Sequence, residues 1–297
     1  MKKRFASSFS APIFYFSLIL FLLNTSFCIG QDAGREFQLP VKTTIRAVGA
    51  INDSVVWYGG SNGIYGYSED GGKHWFTDSI LIDTVVPDFR SIAVINTTIV
   101  MLLNAGSPAW LMLSTDKGHT WKPAYSNTHP DVFFDSMKFM DEKNGTAVGD
   151  PINSRFTIIS TVDGGETWRM MEESNLPGAL PGEACFASSN TCLDVSGKNR
   201  WIATGGAHAR ILHSGDGGNR WEAFTSPLPS GEALTGIFSL DFYDEKNGVI
   251  GGGNYDKPES KVFTYSITRN GGKTWTTGID PLPFVSCIQF QPNKEGV

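Results

Sequence analysis

The sequence predicts an all-β chain, a propeller of four-stranded blades, and three observations carry that prediction. An eight-residue phrase recurs five times, as SEDGGKHW (68–75), STDKGHTW (114–121), TVDGGETW (161–168), SGDGGNRW (214–221) and TRNGGKTW (268–275). Its third residue falls at Asp70, Asp116, Asp163, Asp216 and Asn270, every 46 to 54 residues, the period of an array of equal supersecondary units. Between the copies, short alternating apolar runs are bounded by Gly, Asn and Asp without helical periodicity, the pattern of strands and turns. Finally, FMDEKNG (139–145) returns as FYDEKNG (242–248), 103 residues and two periods later. Four strands in a unit of about 50 residues make a propeller blade.

The repeated phrase reads as a hairpin turn. Its carboxylate and hydroxyl can bond backbone N–H groups within the loop, its Gly supplies positive φ, and its Trp buries a large ring beside the next unit. It resembles the Asp-box, or bacterial neuraminidase repeat, which lies at turns away from the working face. The resemblance implies a structural role for Asp70, Trp75, Asp116, Trp121, Asp163, Trp168, Asp216, Trp221, Asn270 and Trp275.

In chain order, residues 1–30 open with Lys2, Lys3 and Arg4, run apolar from 13 to 23 and end in a small or polar stretch. This is a secretory signal peptide, cut near Gly30 to leave Gln31 first. The apolar run is short for a membrane span and nothing later reaches its length, so no transmembrane segment is expected. Lipoprotein anchoring through Cys28 is disfavoured, because bulky Phe27 stands where a small residue is required. The chain is read as secreted or periplasmic. Residues 31–42 are expected to supply an outer strand that closes the ring. In the first unit the strands are TTIRAVGA (43–50), SVVWYGG (54–60), IYGYS (64–68) and the run after Trp75; in the third, FFDSMKF (133–139), GTAVGD (145–150), FTIIST (156–161) and WRMME (168–172). Blades are expected at 43–80, 89–125, 132–173, 183–225 and 236–279. A sixth begins near Phe284, where FQPNKEGV (290–297) faintly repeats the FxDEKNG phrase. The propeller thus covers 43–297, six-bladed with seven as the alternative and its last blade incomplete. An unclosed ring leaves bare strand edges, so the natural protein is expected to continue past Val297.

The chain of 297 residues has 24 Lys and Arg against 30 Asp and Glu, a net charge of −6 that becomes −9 without the three leader cations. An acidic chain with no basic cluster argues against nucleic acid as partner. Cys185, Cys192 and Cys287 remain after the leader, without CxxC spacing, which argues against zinc and against a disulfide-dense scaffold. Cys185 and Cys192 lie in a loop-like stretch of an exported chain, where a local disulfide competes with buried thiols on adjacent strands. Five histidines show no metal-ligand spacing, and residues 251–253, GGG, lack the helix of a dinucleotide loop. No metal or cofactor is expected. Sequons at Asn52, Asn96 and Asn144 would count only in a glycosylating host.

Outside the Asp-boxes, DFRSIAV (88–94), FFDSMKF, VGDP (148–151), GEACFASSNTC (182–192), TGGAHARIL (204–212) and GIFSLDF (236–242) resemble the photosystem II stability/assembly factor-like family of secreted bacterial propellers, across 43–297. The resemblance implies a six- or seven-bladed propeller without known cofactor. These phrases lie at inner-strand starts and blade-joining loops, where a central pocket forms. They place Arg90, Asp135, Asp150, Glu183, His208 and Arg210 there, with Tyr255 and Asp256 in the loop NYDKPES (254–260), as a ligand-binding group. The competing reading makes these charges inter-blade braces. The sequence therefore reads as a secreted, monomeric, non-catalytic binding or assembly module for a protein, peptide or glycan. The alternative is a sialidase-like exo-glycoside hydrolase, which needs three arginines on a carboxylate, a Tyr nucleophile with a Glu beside it, and an acid Asp. The first arginine of that family sits in Phe/Tyr-Arg-Ile-Pro. Here Arg46 precedes Ala47 and Val48, and Phe89-Arg90-Ser91-Ile92 is a partial likeness in the second blade.

Overall fold

A computed structural model describes residues 37–260, 262–279 and 282–291. The chain divides into Met1–Phe37 and Gln38–Val297, and every strand lies in the second unit. The leader lies outside the described residues, as does the start of the segment expected to close the ring. Residues 37–42, its described part, form no strand.

The strands are Ile45–Ala50 (β1), Val56–Gly60 (β2), Ile64–Ser68 (β3) and Phe76–Ser79 (β4) in a first antiparallel sheet; Phe89–Val94 (β5), Val100–Asn104 (β6), Ala109–Ser114 (β7) and Lys122–Asn127 (β8) in a second; and Phe134–Phe139 (β9), Gly145–Ile152 (β10), Arg155–Thr161 (β11) and Arg169–Met170 (β12) in a third. Glu183–Ala184 (β13) precedes Leu193–Ser196 (β14), Asn199–Ala203 (β15), Gly205–Gly206 (β16), Arg210–Ser214 (β17) and Glu222–Thr225 (β18). Thr235–Phe242 (β19), Gly248–Asn254 (β20), Tyr265–Thr268 (β21) and Thr276–Thr277 (β22) complete the described strands. In the first two sheets the second strand is the most buried and the fourth the most exposed, as in β6 and β8. Expected strands and observed ones agree within a few residues in the first and third blades.

The fourth blade differs from the expectation. Its sheet is β14-β15-β17-β18, starting at Leu193 and not at 183. β13 pairs instead with β16, and β16 with β19, so both belong to the fifth sheet. Glycine permits this crossing: a Cβ on Gly236 would lie 2.3 Å from the Gly205 Cα, a backbone approach that any side chain would block. Residues 282–291 form no strand either, but they follow the fifth blade as a sixth inner strand would. The Phe290 N–H donates to Asp241 Oδ2 at 2.7 Å, as the Phe242 N–H does to Asp194 Oδ2 at 2.7 Å one blade earlier.

All five turns have the same internal bonding. The Ser or Thr hydroxyl donates to the Asp or, in the fifth, Asn at 2.7 to 3.0 Å and accepts the N–H of the Gly four residues on at 2.8 to 3.0 Å. The Trp Nε1–H donates to the carbonyl of that Gly at 2.9 to 3.2 Å. In the fifth copy Asn270 Oδ1 accepts the Thr274 N–H at 2.9 Å as the carboxylates do, and its Nδ2 donates to Thr274 Oγ1. In the third copy Thr167 Oγ1 donates to Asp163 Oδ2 instead, so the same bond runs in the opposite direction. The bonds from the Thr167 side chain and backbone hold the Asp163 carboxyl down at about 2. Its lowered value means that the stabilisation is present above about pH 4 and is lost as pH falls toward 2. Asp163→Asn should therefore melt close to wild type at pH 7, with Thr167 turned round as Thr274 is. Asp163→Ala should melt several degrees lower, and thermal melts followed by circular dichroism compare them. Equal melting of the Ala variant would show that the turn needs no acceptor.

The turns also join blades. Tyr65 OH donates to Gly118 O at 2.7 Å, Met101 packs on Gly165, and Trp201 Nε1 donates to Gly271 O at 2.8 Å. Between the inner strands, Asn190 stands at φ 60°, accepts from the Ser136 hydroxyl and the Met137 N–H, and donates to Ile92 O at 3.1 Å. It ties the second and third blades to the loop that enters the fourth.

Candidate functional site

Strand direction separates two ends of the molecule. In an antiparallel sheet the start of the first and third strands and the end of the second share one end, while the third strand finishes at the other. Ser68, Ser114, Thr161, Ser214 and Thr268, the first residue of each Asp-box, are the last residues of β3, β7, β11, β17 and β21. Arg90 and Asp135 are the second residues of β5 and β9, Arg210 opens β17, Asp150 is near the end of β10 and Tyr255 follows β20. All the candidate residues thus lie at the end opposite the Asp-boxes, and they fall into three arrangements.

Arg90 is part-exposed, with 27% of its side chain accessible. Its Nε donates to Asp88 Oδ2 at 3.0 Å, and its guanidinium lies 5.6 Å from the Phe133 ring centroid. A cation fixed by a carboxylate on one side and an aromatic face on another is pre-placed for a ligand. Asp88 and Phe133 were not singled out in the sequence, although DFR and FFD carry them beside Arg90 and Asp135.

Asp135 is fully buried, and neither of its oxygens has a hydrogen-bond partner; the Ala187 amide pulls on it without hydrogen-bond geometry. Burial, then the neighbouring Asp150, holds its carboxyl well above the ordinary range. Asp150 is pushed up to about 6 by burial, against the pull of the Cys185 N–H, which donates to its Oδ1 at 2.9 Å. A raised carboxyl favours the folded state when protonated, and this contribution is lost as pH rises from about 4 through about 6. Cys185 and Cys192 are beside these acids, and of the two readings left open by the sequence the structure has the buried thiols: both are free and in contact with each other. Cys287 is free and exposed.

Glu183 has a side chain with no accessible surface. It accepts from Arg210 Nε at 2.9 Å and Nη2 at 2.6 Å, from Thr204 Oγ1 at 2.6 Å and from the Leu180 N–H at 2.9 Å. Arg210 also donates to Gly178 O at 2.8 Å. The pair is a closed buried brace, and it presents no free carboxylate to the face. His208 and Asp256 are exposed in loops, and Tyr255, 58% exposed, packs edge-on to Phe284. Neither His208 nor Tyr255 joins the buried acids.

Four-stranded blades, Asp-box turns at one end and loop-borne polar residues at the other define the class: an Asp-box β-propeller. The chain belongs to the photosynthesis system II assembly factor YCF48 family, whose model matches residues 124–279. It is 24% identical over 259 residues to the photosystem II assembly lipoprotein Ycf48 of Synechococcus sp. (strain CC9902), a match spanning 75% of this chain and 71% of that protein. Among solved structures it is similar to YCF48 bound to D1 peptide, at 17% identity over 82% of this chain and 85% of that one, with a TM-score of 0.41. It is also similar to the GH74 enzyme of Niastella koreensis, at 14% identity over 78% of this chain and 38% of that one, with a TM-score of 0.56, a likeness of fold. Among the described residues no helix is long and apolar enough to cross a membrane.

Proposed function

We propose that this protein is an exported, non-catalytic recognition module that holds a segment of another polypeptide on the face opposite its Asp-boxes. The observation that carries the reading is Arg90, fixed by Asp88 and the Phe133 ring yet open to solvent at the start of an inner strand. Binding groups gather on loops and strand ends held by a rigid scaffold. Membership of an assembly-factor family supports a polypeptide partner, and the leader-like residues 1–30, with a lipoprotein among the relatives, support export. The glycosidase reading is weaker, because Arg90 and Arg210, two of the arginines at this end, each already have a carboxylate of their own, Asp88 and Glu183.

Selection of displayed random peptides on the immobilised chain tests the reading. Enriched peptides should lose about tenfold or more in affinity for Arg90→Ala, a little over 1 kcal/mol, while the variant melts near wild type. Asp163→Ala, at the other end, should bind them unchanged in its folded fraction. Failure to enrich any peptide that Arg90→Ala releases would remove this face as the recognition site.

A further inference from the structure

Arg200 is a buried cation at a place where the other blades carry no charge. It stands on β15 opposite Ser214, the residue that opens the fourth Asp-box. In the same register the first, second, third and fifth blades have Val56, Val100, Gly145 and Gly248. The next residue along each strand accounts for the path of its side chain. Trp57, Met101 and Trp201 each lie against a glycine of the following blade's Asp-box, at Gly118, Gly165 and Gly272. In the third blade that residue is the short Thr146, and Arg200 turns back from the fourth blade to lie against Gly218, its Nε on Thr146 Oγ1 at 3.0 Å.

The exchange leaves a cleft of about 270 Å³ between the third blade and the fourth Asp-box, with Arg200 on its wall. Arg200 is only 5% exposed. Beyond Thr146, its one other hydrogen bond among the described residues is a long one, from Nη1 to the Lys198 carbonyl at 3.5 Å. Asp141 and Asp216 act on it from beyond ion-pair distance, and each is taken up by its own turn, Asp141 by the Lys143 and Asn144 N–H groups and Asp216 by those of Asn219 and Arg220. A buried guanidinium held directly by neutral groups alone is costly, and this one keeps donors to spare. Lys198 adds a second cation to the cleft, and Met140 and Val162 give it an apolar side. Val162 is 74% exposed and stands where the other boxes have Glu69, Thr115, Gly215 and Arg269.

We propose that this cleft binds a small aliphatic carboxylate, its head on the Arg200 guanidinium and its tail along Met140 and Val162. A planar carboxylate matches the forked donors of a guanidinium. One negative charge suits the cleft better than the two of a phosphate, because Asp216 lies on its wall and Asp141 acts on Arg200 as well. The volume falls just below the roughly 300 Å³ at which sites for drug-sized ligands begin, so the ligand is short. The site lies at the Asp-box end and is independent of the recognition face.

Titration of the full chain with hexanoate, followed by NMR at the Arg200 Nε–Hε signal and by saturation transfer to the hexanoate methyl, tests the proposal. The signal, assigned by its loss in Arg200→Val, should move saturably in the millimolar range. Hexanamide and inorganic phosphate should bind at least tenfold more weakly. Arg200→Val, which restores the residue of the first two blades, should abolish the transfer. Should that variant misfold, Val162→Glu decides the matter: it sets a like charge at the mouth of the cleft, at the place Glu69 holds in the first box, and should weaken hexanoate tenfold or more while melting near wild type. No saturable shift, binding unchanged in Val162→Glu, or phosphate or hexanamide binding as tightly as hexanoate would each overturn the proposal. Tighter binding of acetyl-Ala-Ala-Leu than of hexanoate would assign the cleft to a polypeptide terminus and overturn the small-molecule reading.

Discussion

Replacing Trp201 with alanine should cost about 3–5 kcal/mol of stability, the range of a large aromatic removed from a packed core. Trp201 has no accessible surface and lies on β15, yet it reaches into the next blade. Its ring stacks on Phe242 of β19 with centroids 3.6 Å apart and planes 7° from parallel. On the other side it stacks on His213 at 5.4 Å, and its Nε1–H donates to Gly271 O of the fifth Asp-box at 2.8 Å. Removing it therefore opens a cavity between the fourth and fifth blades and leaves a turn carbonyl unpaired. Trp201→Phe keeps part of the stack and loses the hydrogen bond, so it should cost less, about 1–2 kcal/mol. Urea unfolding at pH 7 measures both. Because a repeat array holds together through neighbour interfaces, Trp201→Ala should also lower the m-value or split the transition, as the fifth blade comes away before the rest. An Ala variant that loses under 1 kcal/mol with an unchanged transition would show that the ring does not hold this interface.

The Asp-box turns were legible in the sequence because their bonds are local, joining residues no more than four apart. The part played by Trp201 was not, because its partner carbonyl lies 70 residues away. A signal was available: VWYGG and WIATGG each place a Trp on the second strand before a glycine pair, and Trp57 lies against Gly118 as Trp201 lies against Gly272. The start of the fourth blade was misplaced for a different reason. Residues 183–192 were counted as the start of the blade, but the chain bends there to set Asn190 at positive φ between other blades, a position fixed by Ser136 and Ile92 in sheets distant in sequence. At the candidate site, strand order put the charges at the end opposite the Asp-boxes. It could not tell an exposed Arg90 from a closed Glu183, since that depends on whether a partner reaches the side chain.

Glu183 is where the two readings of those charges separate. Glu183→Ala should cost about 3–5 kcal/mol, because it leaves the Arg210 guanidinium, 14% exposed, in place without its carboxylate. Thr204 Oγ1 and the Leu180 N–H lose an acceptor at the same time. Glu183→Gln keeps the shape and one acceptor oxygen but not the charge, so it should fall between Ala and wild type. Replacing the pair together, as Glu183→Leu with Arg210→Met, should recover most of the loss, since a well-packed apolar pair often matches a buried ion pair in stability. Urea titrations at pH 7 of wild type, Glu183→Leu, Arg210→Met and the double variant give the coupling between the two residues directly. Peptides selected on wild type should bind the folded fraction of Glu183→Ala with undiminished affinity, whereas Arg90→Ala should release them without a matching loss of stability. If Glu183→Ala stays as stable as wild type and releases the peptides, the carboxylate belongs to the recognition face and the brace assigned to it is wrong.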